Sequence, residues 1–288
     1  MRNARNAADN VKGKLILGFG GHGRSNGFSQ MTTLKSRRKK FLLAVKDLLD
    51  EYELDGVDFN WEFPNTPKEW QNWGMLMQEA KLLLAPRNIV SFTMYNMEDL
   101  YDLIIGYNLL SHADYVHCMA YDNRDKHSTF EFAQLGVMLA RKFGSQMHKW
   151  TLGIPFYGRN MKTGEPKPYY DLIVKNLKLP QLDNSTDVVN GVFYNSQLTV
   201  YNKVMITRLA GVGGVMIWEL GQDVQQYITQ SDGNTTTTTS DDRSLMTAVQ
   251  RAVISTELDD FISDLDKEET KHYDEVKTVN ERGRQQDL

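Results

Sequence analysis

Asp58 and Glu62 lie in the stretch LDGVDFNWEF (residues 54–63), with an amide, Asn60, midway between them. On a β-strand alternate side chains share a face, so Asp58, Asn60 and Glu62 point one way and Phe59 and Trp61 the other. Polar groups at that spacing can protonate a leaving group and steady the charge that develops on the reacting centre. Large apolar groups on the opposite face are what covering helices bury. Polar inward and apolar outward suits a buried parallel strand whose inward face ends in a site at its carboxyl end. An edge strand with incidental acids is the rival reading, and Phe59 and Trp61 weigh against it.

The elements that would position these residues alternate. Apolar runs at residues 14–19, 54–61, 88–95, 114–121, 150–158 and 213–220 read as six strands. Between them Phe41, Val45, Leu48 and Tyr52 repeat at helical spacing, as do Trp70, Trp73, Met77 and Leu84. Further helices are expected around 130–143, 197–209 and 243–254. Strands alternating with helices imply an α/β fold with a parallel sheet under helices. Two segments break the rhythm. Residues 164–191 read as a long polar loop containing Pro166, Pro168 and Pro180, and 231–242 (SDGNTTTTTSDD) as a mobile surface loop. Asn184 and Asn234 open glycosylation sequons, short matches that carry little weight.

The chain has 288 residues, 41% hydrophobic and 24% charged, enough to bury a substantial core. Its single cysteine, Cys118, excludes an internal disulfide and leaves the redox compartment open. No run is long enough for a membrane span, and the polar start MRNARNAADNVKGK lacks a signal-peptide core. Residues 255–288 hold 11 acidic and 5 basic residues, so with a total of −4 the remainder carries +2. The expected organisation is a folded domain over 1–254 and an acidic tail over 255–288. KSRRKK at 35–40 opens an amphipathic helix and reads as its solvated face, so no nucleic-acid partner is expected. The six histidines have no metal-ligand spacing, and neither metal nor cofactor is expected. GFGGHG at 18–23 fits a dinucleotide fingerprint, but RSNGFSQ after it does not open a helix and no acidic residue ends a second strand at the right distance.

DGVDFNWEFP closely resembles the DGxDxDxE signature strand of glycoside hydrolase family 18, the chitinases and their lectin-like relatives. Four more stretches resemble family motifs in the same order. They are LGFGGHGRSNGFS for the third strand, HCMAYD for the sixth, LGIPFYGR for the seventh and GVGGVMIWELGQD for the eighth. The resemblance implies a (β/α)8 TIM barrel lacking its first two strand–helix units, since the first recognisable strand is similar to the family's third. An eight-unit barrel takes about 250 residues, so roughly 60 would be missing. The larger α+β insertion between the family's seventh and eighth strands is not expected in the short interval 158–213, which implies a shallow cleft.

The resemblance further implies hydrolysis of β-1,4-linked N-acetylglucosamine polymers, the family being an exception to the two-carboxylate scheme because the substrate's own acetamido oxygen attacks. Glu62 would be the general acid, Asp58, Asn60 and Tyr121 the other catalytic groups. Tyr121 would donate to the acetamido oxygen, Asp122 hold the sugar and Trp218 form the floor on which it stacks. Met119, Tyr157, Arg159, Phe63, Gly20 and Gly21 complete the substrate-binding set, with Met119 as core filler and Arg159 as a structural ion pair standing as alternatives. The partners implied are chitin or its oligosaccharides, and the compartment extracellular. Asn60 departs from the family's aspartate. It keeps an acceptor but loses a charge, and an ionised acceptor bonds roughly twice as strongly. A slowed enzyme is therefore expected. A carbohydrate-binding protein of the same fold without catalysis is the rival, and a chain that does not fold alone is a third reading.

Overall fold

The computed structural model describes residues 2–175, 185–224, 227–231, 235–239, 243–257 and 261. The chain opens with α1 (Arg2–Asn10), β1 (Ile16–Gly20), α2 (Phe28–Thr32), α3 (Lys35–Glu51) and β2 (Gly56–Asn60). It continues through α4 (Pro67–Leu84), β3 (Ile89–Tyr95), α5 (Glu98–Gly106), β4 (Tyr115–Met119), α6 (Phe130–Ala140) and β5 (Trp150–Pro155). Then come β6 (Tyr157–Asn160), β7 (Pro166–Pro168), α7 (Tyr169–Lys175), β8 (Val188–Val189) and β9 (Val192–Phe193). The last elements are α8 (Gln197–Ala210), β10 (Gly214–Trp218), β11 (Tyr227–Ser231), β12 (Thr235–Thr239) and α9 (Leu245–Ile254).

The six strands expected from the apolar runs form one parallel sheet, ordered β1-β2-β3-β4-β5-β10. Val57, Phe59 and Trp61 are buried under the helical layer, and Trp61 lies 6.0 Å from Trp73 of α4. Phe59 meets Phe19 of β1 and Phe41 of α3. The other face of β2 carries Asp58 and Asn60, so the period-two reading holds. Among the described residues β1 and β10 pair with no further strand and remain edges of an open arc.

α4 begins sharply because Thr66 caps it. The Thr66 hydroxyl accepts from Glu69 N–H, Glu69 reaches back to Thr66 N–H, and Pro67 sits at the first helical position. Glu69 also accepts from Ser29 of α2 and from Asn65 N–H, which ties down the turn just after Glu62. α1 is held at the opposite end of β2 by Arg5, 2.6 Å from Asp55.

Three sequence expectations need correction. The interval after β5 is not a plain loop. β6, β7, β8 and β9 form an antiparallel four-stranded sheet, and α7 follows β7. Its strands are two to four residues long, too short for an alternation signal to show. The threonine run pairs in an antiparallel ribbon with β11, as β-branched residues favour. Within the basic cluster at 35–40, Arg38 is not a solvated residue. It is buried and bonds both carboxylate oxygens of Glu79, at 2.7 and 2.9 Å. Asn184, Asn234 and most of the expected acidic tail lie outside the described residues.

Candidate active site

The polar face of β2 runs out into a turn built to hold Glu62. Gly20 has φ +99°, and a Cβ there would fall 2.1 Å from the Asn60 carbonyl oxygen, so only glycine lets β1 approach β2 this closely. Gly21, also at positive φ, donates its N–H to that carbonyl at 2.8 Å. Ser25 Oγ accepts from Glu62 N–H at 3.0 Å and lies 3.2 Å from the same carbonyl. Gly20 and Gly21 therefore shape the backbone under the acid.

Asn60 Nδ2 donates to Glu62 Oε1 at 2.9 Å, while Asn60 Oδ1 is buried with no partner among the described residues. The Glu62 side chain is only 15% exposed, and His22 Nδ1 stands 4.0 Å from its other oxygen. Asp58 faces the same way but is engaged deeper in the sheet. Its two oxygens accept from Ser91 Oγ at 2.6 Å and Thr93 Oγ1 at 3.0 Å, both on β3. Next along, His117 of β4 bonds Thr151 of β5 at 2.8 Å. Burial lowers the His117 pKa and the charge of Asp58 opposes that shift. A polar belt thus crosses four strands beneath the acid.

The second group of site residues comes from β4, β6 and the loop after β4. Tyr121 is buried, and Gly153 of β5 makes room for it, since a Cβ there would sit 2.8 Å from its ring. Burial and the charges of Asp122, Cys118, Glu62 and Asp58 hold its phenol well above the usual range, so it stays a neutral donor. Asp122 has φ +63° and accepts from Tyr157 Oη and Arg159 Nε, both at 2.5 Å. Burial pushes the Asp122 carboxyl up, but contacts from His127, Arg159 and Tyr157 outweigh it and hold the group below the carboxylate range. Arg159 is thus tied to a residue of the candidate site, which joins the ion-pair and cleft readings in one contact. Met119 clusters with Tyr121 and Tyr157, with Tyr95 and Met216 against them.

Two predicted residues are more exposed than these. Trp218 is 54% exposed at the end of β10, available as a flat apolar surface, unlike a core tryptophan. Phe63 is half-exposed, its ring 6.4 Å from Tyr95. Sequence reasoning missed Ser25, Ser91, Thr93, His117 and His127. Ser91 and Thr93 carry a readable signal, alternating on a strand whose neighbour in register is Asp58. His127 carries none. It is fully buried, 3.7 Å from Asp122 and 5.1 Å from the Tyr157 ring, through tertiary packing alone.

Residues 1–223 match the model of glycosyl hydrolases family 18. Probable chitinase 2 of Drosophila melanogaster is 23% identical over 288 residues, covering 77% of this chain and 58% of that protein. The chain thus spans little more than half the length of that relative. A chitinase from Bacteroides thetaiotaomicron superposes with a TM-score of 0.72 at 20% identity, covering 88% of this chain and 80% of that one. A chitinase from Cycas revoluta, solved with (GlcNAc)3, gives 0.63 at 20% identity, over 75% and 78%. At these identities the likeness establishes the fold, the α/β barrel type, here with its arc open between β1 and β10.

Proposed function

This chain belongs to glycosyl hydrolases family 18, and from that premise we propose that it hydrolyses β-1,4-linked N-acetylglucosamine chains with Glu62 as the acid. The observation that carries the proposal is the pairing of Glu62 with Asn60 at 2.9 Å, with the neutral phenol of Tyr121 within electrostatic reach of Glu62. In the first step Glu62 gives its proton to the glycosidic oxygen as the bond from C1 breaks. The acetamido oxygen of the same sugar closes on C1, forming an oxazolinium ring. In the second step water adds to C1, its proton returns to Glu62, and the ring reopens with configuration retained.

Tyr121 donates its O–H to the acetamido oxygen and orients it for attack. Asp122, held by Arg159 and Tyr157, accepts from the sugar, and Trp218 stacks on a pyranose face. Asn60 can serve both states of the acid. Its N–H bonds the ionised carboxylate, and a half-turn of the amide presents the unpaired Oδ1 to the protonated one. What it cannot supply is the negative charge that would balance the oxazolinium ring. The loss of one such electrostatic group costs about 10²–10³ in rate.

Asn60 also favours a second reading, sugar binding without turnover. Fully acetylated chitooligosaccharide and its deacetylated counterpart separate the two. Cleavage of the acetylated oligomer alone fits the substrate-assisted route, because only that oligomer carries the internal nucleophile. Tight binding of the acetylated oligomer with no product would support the binding protein instead.

A further inference from the structure

Lys203, in the middle of α8, is fully buried, and its ammonium meets only neutral acceptors. Its Nζ donates to Ser128 O at 2.8 Å, Ser128 Oγ at 2.7 Å and Asn195 Oδ1 at 2.8 Å. An ammonium has three donors and no acceptor, so all of them are used. Asn195 Nδ2 donates to Ser128 O at 2.7 Å, and Ser128 Oγ passes the chain on to Ala120 O at 2.8 Å. Ser128 and Asn195 directly precede Thr129 and Ser196, the N-caps of α6 and α8. Helix N-termini disfavour a cation, and a buried charge without a counter-ion is costly. What the cation supplies in return is two directed bonds to Ser128, in the loop that leaves β4, and a third to Asn195 ahead of α8.

We propose that Lys203 is a positioning residue for the sugar site: its ammonium clamps Ser128, and through it Ala120, fixing the loop that carries Tyr121, Asp122 and His127. The proposal rests on the reading of the site as one that cleaves N-acetylglucosamine chains. The loop needs such a restraint, because Asp122 occupies the left-handed region that non-glycine residues disfavour. Within the loop, Asn123 N–H bonds His127 O at 3.0 Å, so the clamp at Ser128 reaches both ends of the turn. Burial pushes the Lys203 ammonium down to about 7, against the charges of Asp187 and Glu131, which raise it. The groups facing it are Glu131 on α6, Asp187 ahead of α8 and His127 on the loop. A neutral amine donates only two protons and gives up one of the three bonds, so the clamp loosens as pH climbs past about 7.

Lys203→Met keeps the aliphatic stem and removes the donors. Amide hydrogen exchange on the free protein should be about tenfold faster over residues 120–128, with β2 and β3 unchanged. Corrected for the intrinsic pH dependence of exchange, the wild-type loop should loosen further above pH 7 and the variant loop should not. Cleavage of chitooligosaccharide should fall about tenfold in the variant. Equal loop exchange in the two proteins overturns the clamp. Ser128→Ala deletes only the hydroxyl link, so if Lys203→Met does not fold the same comparison is made there, with unchanged exchange again contradicting the proposal. Because exchange is read without sugar, a loosened loop in a protein whose wild type cleaves nothing supports the clamp and overturns the hydrolase reading.

Discussion

At the scale of single residues, Asn60 bonds Glu62 with its amide and leaves its own oxygen buried and unpaired. An aspartate there would add the missing charge while keeping the side-chain shape. Asn60→Asp should therefore raise turnover by roughly ten- to a thousandfold, measured as reducing sugar released per enzyme per second. Unaltered turnover would mean that the side chain at position 60 does not face the acetamido group. Trp218, at 54% exposed, gives up little packing when truncated. Trp218→Ala should weaken chitooligosaccharide binding about tenfold, or about 1.4 kcal/mol, with the melting temperature nearly unchanged. A collapsed melting temperature with unchanged affinity would place it in the core.

At the scale of elements, β2 is fixed at both ends. The capping box of Thr66 and Glu69 anchors the turn after Glu62, so Thr66→Ala should cost about 1 kcal/mol of stability in denaturant unfolding. At the other end Asp55 accepts from Arg5, Leu15 N–H and Lys14. Burial pushes the Asp55 carboxyl up, but those bonds outweigh it and bring it from 3.8 to about 2. A depressed carboxyl stabilises the fold fully above its unfolded value and loses that contribution as pH falls through about 2. Asp55→Asn should therefore lower the melting temperature at pH 7 and flatten its decline between pH 4 and about 2; an unchanged acid limb would contradict this. The sheet strands were legible because long apolar runs such as NIVSFTMY signal burial on both faces, and Asp58, Asn60 and Glu62 because a period of two assigns their face. α5 and the β6–β9 sheet were not, since their segments are short and broken by glycine, proline and polar residues. His127 and Lys203 owe their places to contacts distant in sequence, Lys203 to Ser128 on another element, which no local pattern encodes.

At the scale of the whole molecule, the arc of six parallel strands ends in two edges, β1 and β10, both partly exposed along most of their length. Unpaired edge strands present rows of free backbone donors and acceptors to other chains. Sedimentation of residues 1–288 should show association that grows with concentration; a monomer across the whole range would show that the edges are protected. The same arc gathers Glu62, Asn60 and Tyr121 at the carboxyl ends of its strands, the group on which the proposed catalysis depends. The most direct test is release of reducing ends from an N-acetylchitooligosaccharide by the wild-type chain and by Glu62→Gln, with folding checked by circular dichroism. If Glu62 is the acid, the wild type releases reducing ends slowly and the variant none above background. Equal release by the two, or none by a folded wild type, would contradict that role.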